Sequence, residues 1–293
     1  MMPIRDVLLA LLVVSIWGVN FTVIKLSFAD LPPLLSAALR FFCAAFPAVF
    51  FVARPKAHWG LVAAYGLFMG CALYALLNTS IALGMSASLA SLVLQMQAMF
   101  TMGLAFLVLG EIPRKLQLLG AAVAFGGIGV IAMGHGTGTE LLPLALLLLG
   151  AISWAVANII SKKAGSIPMI PFTVWGHVVA CVPLFALSLL FEGGADIISH
   201  IAPPSLSTIG LVAFLAYPST LFGFAMWSRL LSRHSAASVA PFTLLVPITG
   251  ILSGVLILGE PIYAADVAGG ILVLIGLALT VVRIGTKPAA KEV

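Results

Sequence analysis

Trp17 and Asn20 stand three residues apart, and Trp154 and Asn158 stand four apart, each pair inside a long apolar run. Residues three or four apart share one face of a helix. Each pair therefore sets an indole beside a carboxamide, a combination that suits a small zwitterion or a flat organic solute. The competing roles are interhelical hydrogen bonding for the asparagines and interfacial anchoring for the tryptophans, although Trp17 lies too deep in its run to anchor at a surface. Tyr74 and Asn78 repeat the spacing of four. Ser88, Ser91 and Gln95 form one polar stripe. Gln97 points roughly 200° away from Gln95 on an α-helix, so Gln95 is the expected cavity residue. Tyr217, Thr220 and Trp227 offer polar and aromatic groups in a later run, with ordinary packing as their alternative role.

Arg40 is the single full charge well inside an apolar run. A guanidinium can fork onto a carboxylate, or it can snorkel outward and tie helix ends through carbonyls. His177, with Thr173 one turn earlier, could carry a proton or simply pack. The absent groups also matter. No Asp or Glu lies at mid-depth of a run, Asp266 being the nearest. Proton-coupled carriers and cation antiporters commonly depend on such buried acids, so facilitated exchange, or weak proton coupling at most, is expected. Gly126-Gly127-Ile128-Gly129 lacks the following Lys and Ser/Thr of a phosphate-binding loop. Cys43, Cys71 and Cys181 lie singly in apolar runs and indicate neither a disulfide framework nor a metal site. With no nucleophile–base constellation either, the sequence implies no enzyme, no cofactor and no metal.

The elements that must position these groups follow from composition. Of 293 residues, 62% are hydrophobic and 8% charged, with a mean hydropathy of +1.22. Soluble domains carry roughly 25% charged residues. Surplus apolar surface on this scale must face lipid, which excludes a soluble enzyme, a nucleic-acid-binding domain and a disordered chain. Nucleic acid is not a partner; membrane lipid is. Long continuous apolar runs, rather than short alternating ones, predict helices instead of a barrel.

Ten runs are predicted, at about 7–28, 33–53, 59–83, 87–109, 115–134, 141–162, 168–191, 205–230, 235–259 and 262–283. Turn residues divide them, among them Leu31-Pro32-Pro33, Gly84-Met85-Ser86 and Glu192-Gly193-Gly194. Arg5, Arg54, Lys56, Arg114, Lys115, Lys162, Lys163, Arg229, Arg233, Arg283, Lys287 and Lys291 all fall on one side, twelve of the fourteen basic residues. The positive-inside rule then places both termini in the cytoplasm. The first run is too long for a signal peptide and reads as the first helix.

The runs are duplicated. Leu109-Gly110-Glu111 ends the fourth run and Leu258-Gly259-Glu260 ends the ninth, each with a glycine nine residues on, at Gly120 and Gly269. Trp17, Asn20 and Lys25 in the first run answer Trp154, Asn158 and Lys162 or Lys163 in the sixth. The expected architecture is an all-α membrane protein of ten transmembrane helices. Two inverted five-helix repeats, residues 1–137 and 138–293, surround a central cavity. Inverted repeats of this kind characterise secondary transporters, with substrate held near the midplane. Glu111 and Glu260 are expected to cap the helices that follow them.

Ser15-Ile-Trp-Gly-Val-Asn20-Phe, Leu39-Arg40-Phe41, the two Leu-Gly-Glu ends and the glycine-rich fifth and tenth runs resemble the drug/metabolite transporter superfamily. The layout is similar to its ten-helix, EamA-like amino-acid and metabolite exporter branch. Ser91-Leu-Val-Leu-Gln95-Met-Gln97-Ala and Leu244-Leu-Val-Pro247 look especially like bacterial amino-acid exporters. The resemblance implies a bacterial inner-membrane carrier whose helices 1–4 and 6–9 enclose a cavity. Helices 5 and 10 would then pack peripherally through small residues such as Gly120, Gly126, Gly127 and Gly129 against Gly269, Gly270 and Gly276.

The expected function is export or exchange of amino acids and related small metabolites by alternating access. Export of other solutes, such as cationic drugs or nucleobase-type metabolites, is the alternative; a channel fits less well, because repeated carbonyls or charge rings are missing. The expected substrate-binding residues are Trp17, Asn20, Arg40, Tyr74, Asn78, Gln95, Trp154, Asn158, His177 and Trp227. Pro218, Pro241 and Pro247 are the expected gating hinges, because an internal proline deletes a backbone hydrogen bond and bends its helix. A monomer contains both repeats and suffices.

Overall fold

The computed structural model describes residues 2–134, 141–165, 167–193 and 204–281. The predicted junction near residue 137 lies outside them, as do Arg283, Lys287 and Lys291. The helices are α1 (Ile4–Ser27), α2 (Pro33–Val49), α3 (Trp59–Ala82), α4 (Ala87–Leu109), α5 (Lys115–Gly134), α6 (Leu141–Lys163), α7 (Met169–Phe191), α8 (Leu206–Arg233), α9 (Ala240–Leu258) and α10 (Ala264–Val281). Among the described residues there is no strand, and nine helices are long and apolar enough to cross a membrane. The remaining one, α2, has 17 residues. It ends at Val49, two residues after Pro47, short of the apolar run that extends to residue 53. At 1.5 Å per residue it still reaches about 26 Å, close to a hydrocarbon core of about 30 Å.

Local chemistry sets the boundaries. Ser86 and Ser205 begin α4 and α8 by accepting from the backbone N–H of Leu89 and Thr208, at 3.1 and 3.0 Å. Gly110 and Gly259 end α4 and α9 in the left-handed region, with φ of 69° and 64°, where other residues are strained. Large apolar side chains such as Phe51, Leu107, Phe191 and Leu256 point outward, as lipid contact requires. The core lies between α1, α3, α4, α6 and α7, around Ile24, Leu73, Leu77, Leu92, Leu147 and Phe172.

Helices pair as α1 with α9, α4 with α6, α2 with α7, α4 with α9 and, most extensively, α5 with α10. The last pair has almost no side chain between its backbones. A Cβ on Gly127 would sit 2.5 Å from the Gly269 carbonyl oxygen, and one on Gly269 would sit 2.5 Å from that of Gly127; Gly120 and Gly276 meet in the same reciprocal way. Gly126 and Gly129 face open space instead, while a Cβ on Gly134 would collide with Ala265 of α10, so three of the five α5 glycines build the seam. Without a hydrophobic drive inside lipid, such close approach supplies the attraction. Gly127→Leu will therefore destabilise the detergent-solubilised protein by about 1–3 kcal/mol, the usual cost of overpacking, and lower its thermal midpoint. Gly126→Leu will melt like the parent.

Four helices are irregular. α3 contains a π-helical stretch at Gly66–Ala72 and α8 one at Leu215–Phe222; α4 contains a 3₁₀ stretch at Leu94–Met96 and α9 one at Ala240–Leu244. Pro218 lies in the α8 stretch and Pro241 in the α9 stretch, with Pro247 buried just after it. The α3 and α4 stretches contain no proline. Departures from α-geometry thus occur in helices with and without proline at the irregular stretch.

Candidate functional site

A cavity of about 310 Å³ lies between α1, α2, α3, α4, α6, α8 and α9. Eight of the ten expected binding residues line it: Trp17, Asn20, Arg40, Tyr74, Gln95, Trp154, Asn158 and Trp227. Its size falls at the lower end of the range for small-molecule sites.

One wall is aromatic. Trp17 packs against Trp227 and Phe224 with ring centroids 5.2 and 5.6 Å away. Its indole N–H donates to the Ser219 carbonyl at 3.1 Å, inside the π-helical stretch of α8, where the widened turn leaves backbone carbonyls accessible. Gly223 lets the indole lie across α8, since a Cβ there would sit 2.5 Å from Trp17 Nε1.

Arg40 forms the polar floor and is only 2% exposed. Its Nε donates to Thr220 Oγ1 at 2.9 Å, Nη1 to Asn20 Oδ1 at 2.8 Å and Nη2 to Ser219 Oγ at 3.2 Å. Ser219 Oγ also donates to Asn20 Oδ1 at 2.8 Å, and the Tyr74 ring lies 4.4 Å from Arg40 Cζ. The guanidinium thus neither snorkels nor caps a helix end; neutral oxygens and a π-face hold it against the cavity. Asn20 meets the interhelical role and the cavity role at once.

The opposite wall belongs to α4, α6 and α9. Gln95 donates from Nε2 to the Thr243 carbonyl at 3.2 Å. Asn158 donates from Nδ2 to Gln97 Oε1 at 2.9 Å and Thr101 Oγ1 at 3.0 Å. Gln97 lines the cavity together with Gln95, contrary to the expectation that only one would. In the 3₁₀ stretch each residue turns about 120°, so the two amides lie closer in azimuth than on an α-helix. Ser219 and Thr243 were also missed; their types occur throughout the chain, and only the fold distinguishes them.

Two expected residues lie elsewhere. Asn78 is 1% exposed and donates to the Pro33 carbonyl at 2.8 Å, bracing α3 against the start of α2. His177 is 2% exposed, sits behind Arg40 between the rings of Phe41 and Phe224, and faces a separate space of about 30 Å³.

Beyond the cavity, two Lys–Glu pairs flank it. Lys25 Nζ donates to Glu260 at 2.8 Å, and Lys162 Nζ to Glu111 at 2.7 Å. Each of these lysines lies eight residues after a tryptophan that lines the cavity, Trp17 and Trp154. The pairs differ in burial. The Glu260 side chain is 4% exposed; those of Glu111 and Lys162 are 53% and 48% exposed. Glu260 also accepts from Ala87 N at 2.7 Å, Ser88 N at 2.9 Å and Ser88 Oγ at 2.7 Å. It therefore caps α4 across the molecule, rather than the helix that follows it. Burial pushes its carboxyl up, but donation from Lys25, Ser88 and Ala87 outweighs this and holds it below the ordinary carboxylate range. Glu192 acts similarly, accepting from Leu34 N at 2.6 Å and Leu35 N at 3.0 Å at the start of α2.

Comparison with known proteins places this geometry in context. The EamA-like transporter family matches residues 5–133 and again 141–282. A probable amino-acid metabolite efflux pump of Escherichia coli (strain K12) is 39% identical, covering 98% of each chain, and its counterpart in Salmonella typhimurium (strain LT2) matches to the same extent. A solved crystal structure shares the fold, with a TM-score of 0.64 at 17% identity, over 94% of this chain and 95% of its own. With the family model matched over residues 5–133 and 141–282, the chain belongs to the EamA-like transporter family.

Proposed function

We propose that the protein is a secondary carrier that exports or exchanges amino acids and related small metabolites by alternating access. Two inverted halves, residues 1–137 and 138–293, enclose the site in the bacterial inner membrane, with both termini cytoplasmic. The observation that carries this reading is the cavity itself, with Trp17 and Asn20 from the first half facing Trp154 and Asn158 from the second across one space. The family model's two successive matches support the two-half reading. So does the exchange of partners between halves: α1 packs on α9 as α6 packs on α4. The full-length relatives named as amino-acid metabolite efflux pumps support the substrate class.

In this reading the unequal Lys–Glu pairs are the two ends of the alternation. Lys25–Glu260 lies at the outer end, closed over by α4. Glu111–Lys162 lies at the inner end, hydrated. The irregular stretches of α3, α4, α8 and α9, with Pro218 and Pro241 inside two of them and Pro247 just after the last, are the segments that bend between states. A helix already departing from α-geometry loses fewer backbone bonds on bending.

The test is counterflow. Proteoliposomes loaded with an unlabelled amino-acid mixture will take up labelled amino acid faster than empty ones, because a carrier returns more readily when loaded. Equal uptake in both would remove the carrier reading. A reporter fused after Val293 will be cytoplasmic; a periplasmic signal would overturn the topology.

A further inference from the structure

We propose that the cavity recognises its substrate through a carboxylate and makes no demand for an ammonium group, so that organic acids lacking an amine are accepted alongside amino acids. This rests on the carrier reading above and narrows its substrate class.

Arg40 carries a full charge at 2% exposure, yet all its hydrogen-bond partners are neutral: Thr220, Asn20 and Ser219. Among the described residues no acidic side chain lines the cavity. A buried charge without an opposite charge is costly, and protein interiors normally pair it. Neutral dipoles orient the guanidinium but leave its net charge facing the cavity. Three of its five N–H donors are engaged, which leaves two for a ligand. The missing partner is therefore an anion, and a planar carboxylate matches the fork.

The same inventory says the reverse of a cation. An ammonium entering with the substrate finds no carboxylate, and Arg40 repels it. What remains are indole faces and amide oxygens, which attract weakly. Removing the amine from a substrate thus removes little attraction and some repulsion, whereas neutralising the carboxylate removes the one complementary charge.

The cavity contains its own reporter, because Trp17, Trp154 and Trp227 all line it. Binding to the full-length protein in detergent can be followed by tryptophan fluorescence. Two series serve as probes: L-leucine, isocaproate (the same skeleton without the amine) and L-leucinamide; and the quenching-corrected equivalents L-phenylalanine, hydrocinnamate and L-phenylalaninamide. The expected result, in whichever series the free amino acid binds, is a Kd for the amine-free acid within about threefold of it. The amide will bind about tenfold more weakly or worse, as loss of a charge-assisted contact requires. An amide that binds as well as the acid overturns the inference while leaving the carrier reading intact. So does an amine-free acid that fails to bind. If no member of either series binds and counterflow is also absent, the carrier reading fails and the inference falls with it.

Discussion

In Glu260→Ala protein, spin labels at Leu83 and Ile262 will report a longer and broader distance distribution than in the parent. Both positions are half-exposed and flank the Lys25–Glu260 end of α4 and α9. Glu260 accepts four hydrogen bonds there, two of them from backbone N–H groups at the start of α4. Truncation strands those donors and Lys25 together. Lys25 is one-third exposed and recovers hydration, so the cost stays below the ~5 kcal/mol of a fully buried pair. About 3 kcal/mol remains, roughly a hundredfold in the balance between closed and open ends. Glu111→Ala, at the hydrated pair, will change that balance by under ~1 kcal/mol. Unchanged distances in Glu260→Ala would show that packing alone closes this end. The pH dependence has a definite sign. A carboxyl held below its ordinary value stabilises the closed end fully at pH above the unfolded value of about 4.3. That contribution is lost as pH falls through the lowered folded value. The closed end will therefore be insensitive to pH near neutrality and loosen only in strong acid.

Arg40→Lys will lower counterflow by about tenfold to a hundredfold at normal membrane expression. Lysine keeps the charge but delivers its N–H groups from one atom. It cannot reach Thr220, Asn20 and Ser219 in the directions that the fork serves, at 2.8 to 3.2 Å. Each stranded buried oxygen costs about 1–3 kcal/mol, and α1, α2 and α8 lose a shared tie. A rate and melting temperature equal to the parent's would show that charge alone is needed and the network is incidental.

The helices were legible because their signals are local. Apolar runs set their extents to within a few residues, and Ser86, Ser205, Gly110 and Gly259 mark ends by backbone chemistry that any reader of sequence can use. α2 ends early where Pro47 weakens it. The cavity was legible in outline because costly polar groups in lipid are few, so Trp17, Asn20, Arg40 and Asn158 stand out. What was not legible depends on partners distant in sequence. Glu260 was expected to cap its own following helix, yet its donors come from Ala87 and Ser88, more than 170 residues earlier. Asn78 and Tyr74 share a helix face, yet only Tyr74 reaches the cavity, because the start of α2 claims Asn78. Gln97 was set aside by assuming 3.6 residues per turn where the backbone makes tighter ones.

The glycine seam of α5 and α10 has a mechanical consequence. Its two glycine-on-glycine contacts lie seven residues apart on both helices, Gly120 and Gly127 against Gly276 and Gly269. Sliding one helix along the other meets no second match between these glycines for seven residues, about 10 Å of travel. The pair has no ratchet step within reach and no lubricating side chains. It behaves as a fixed strut that resists axial sliding.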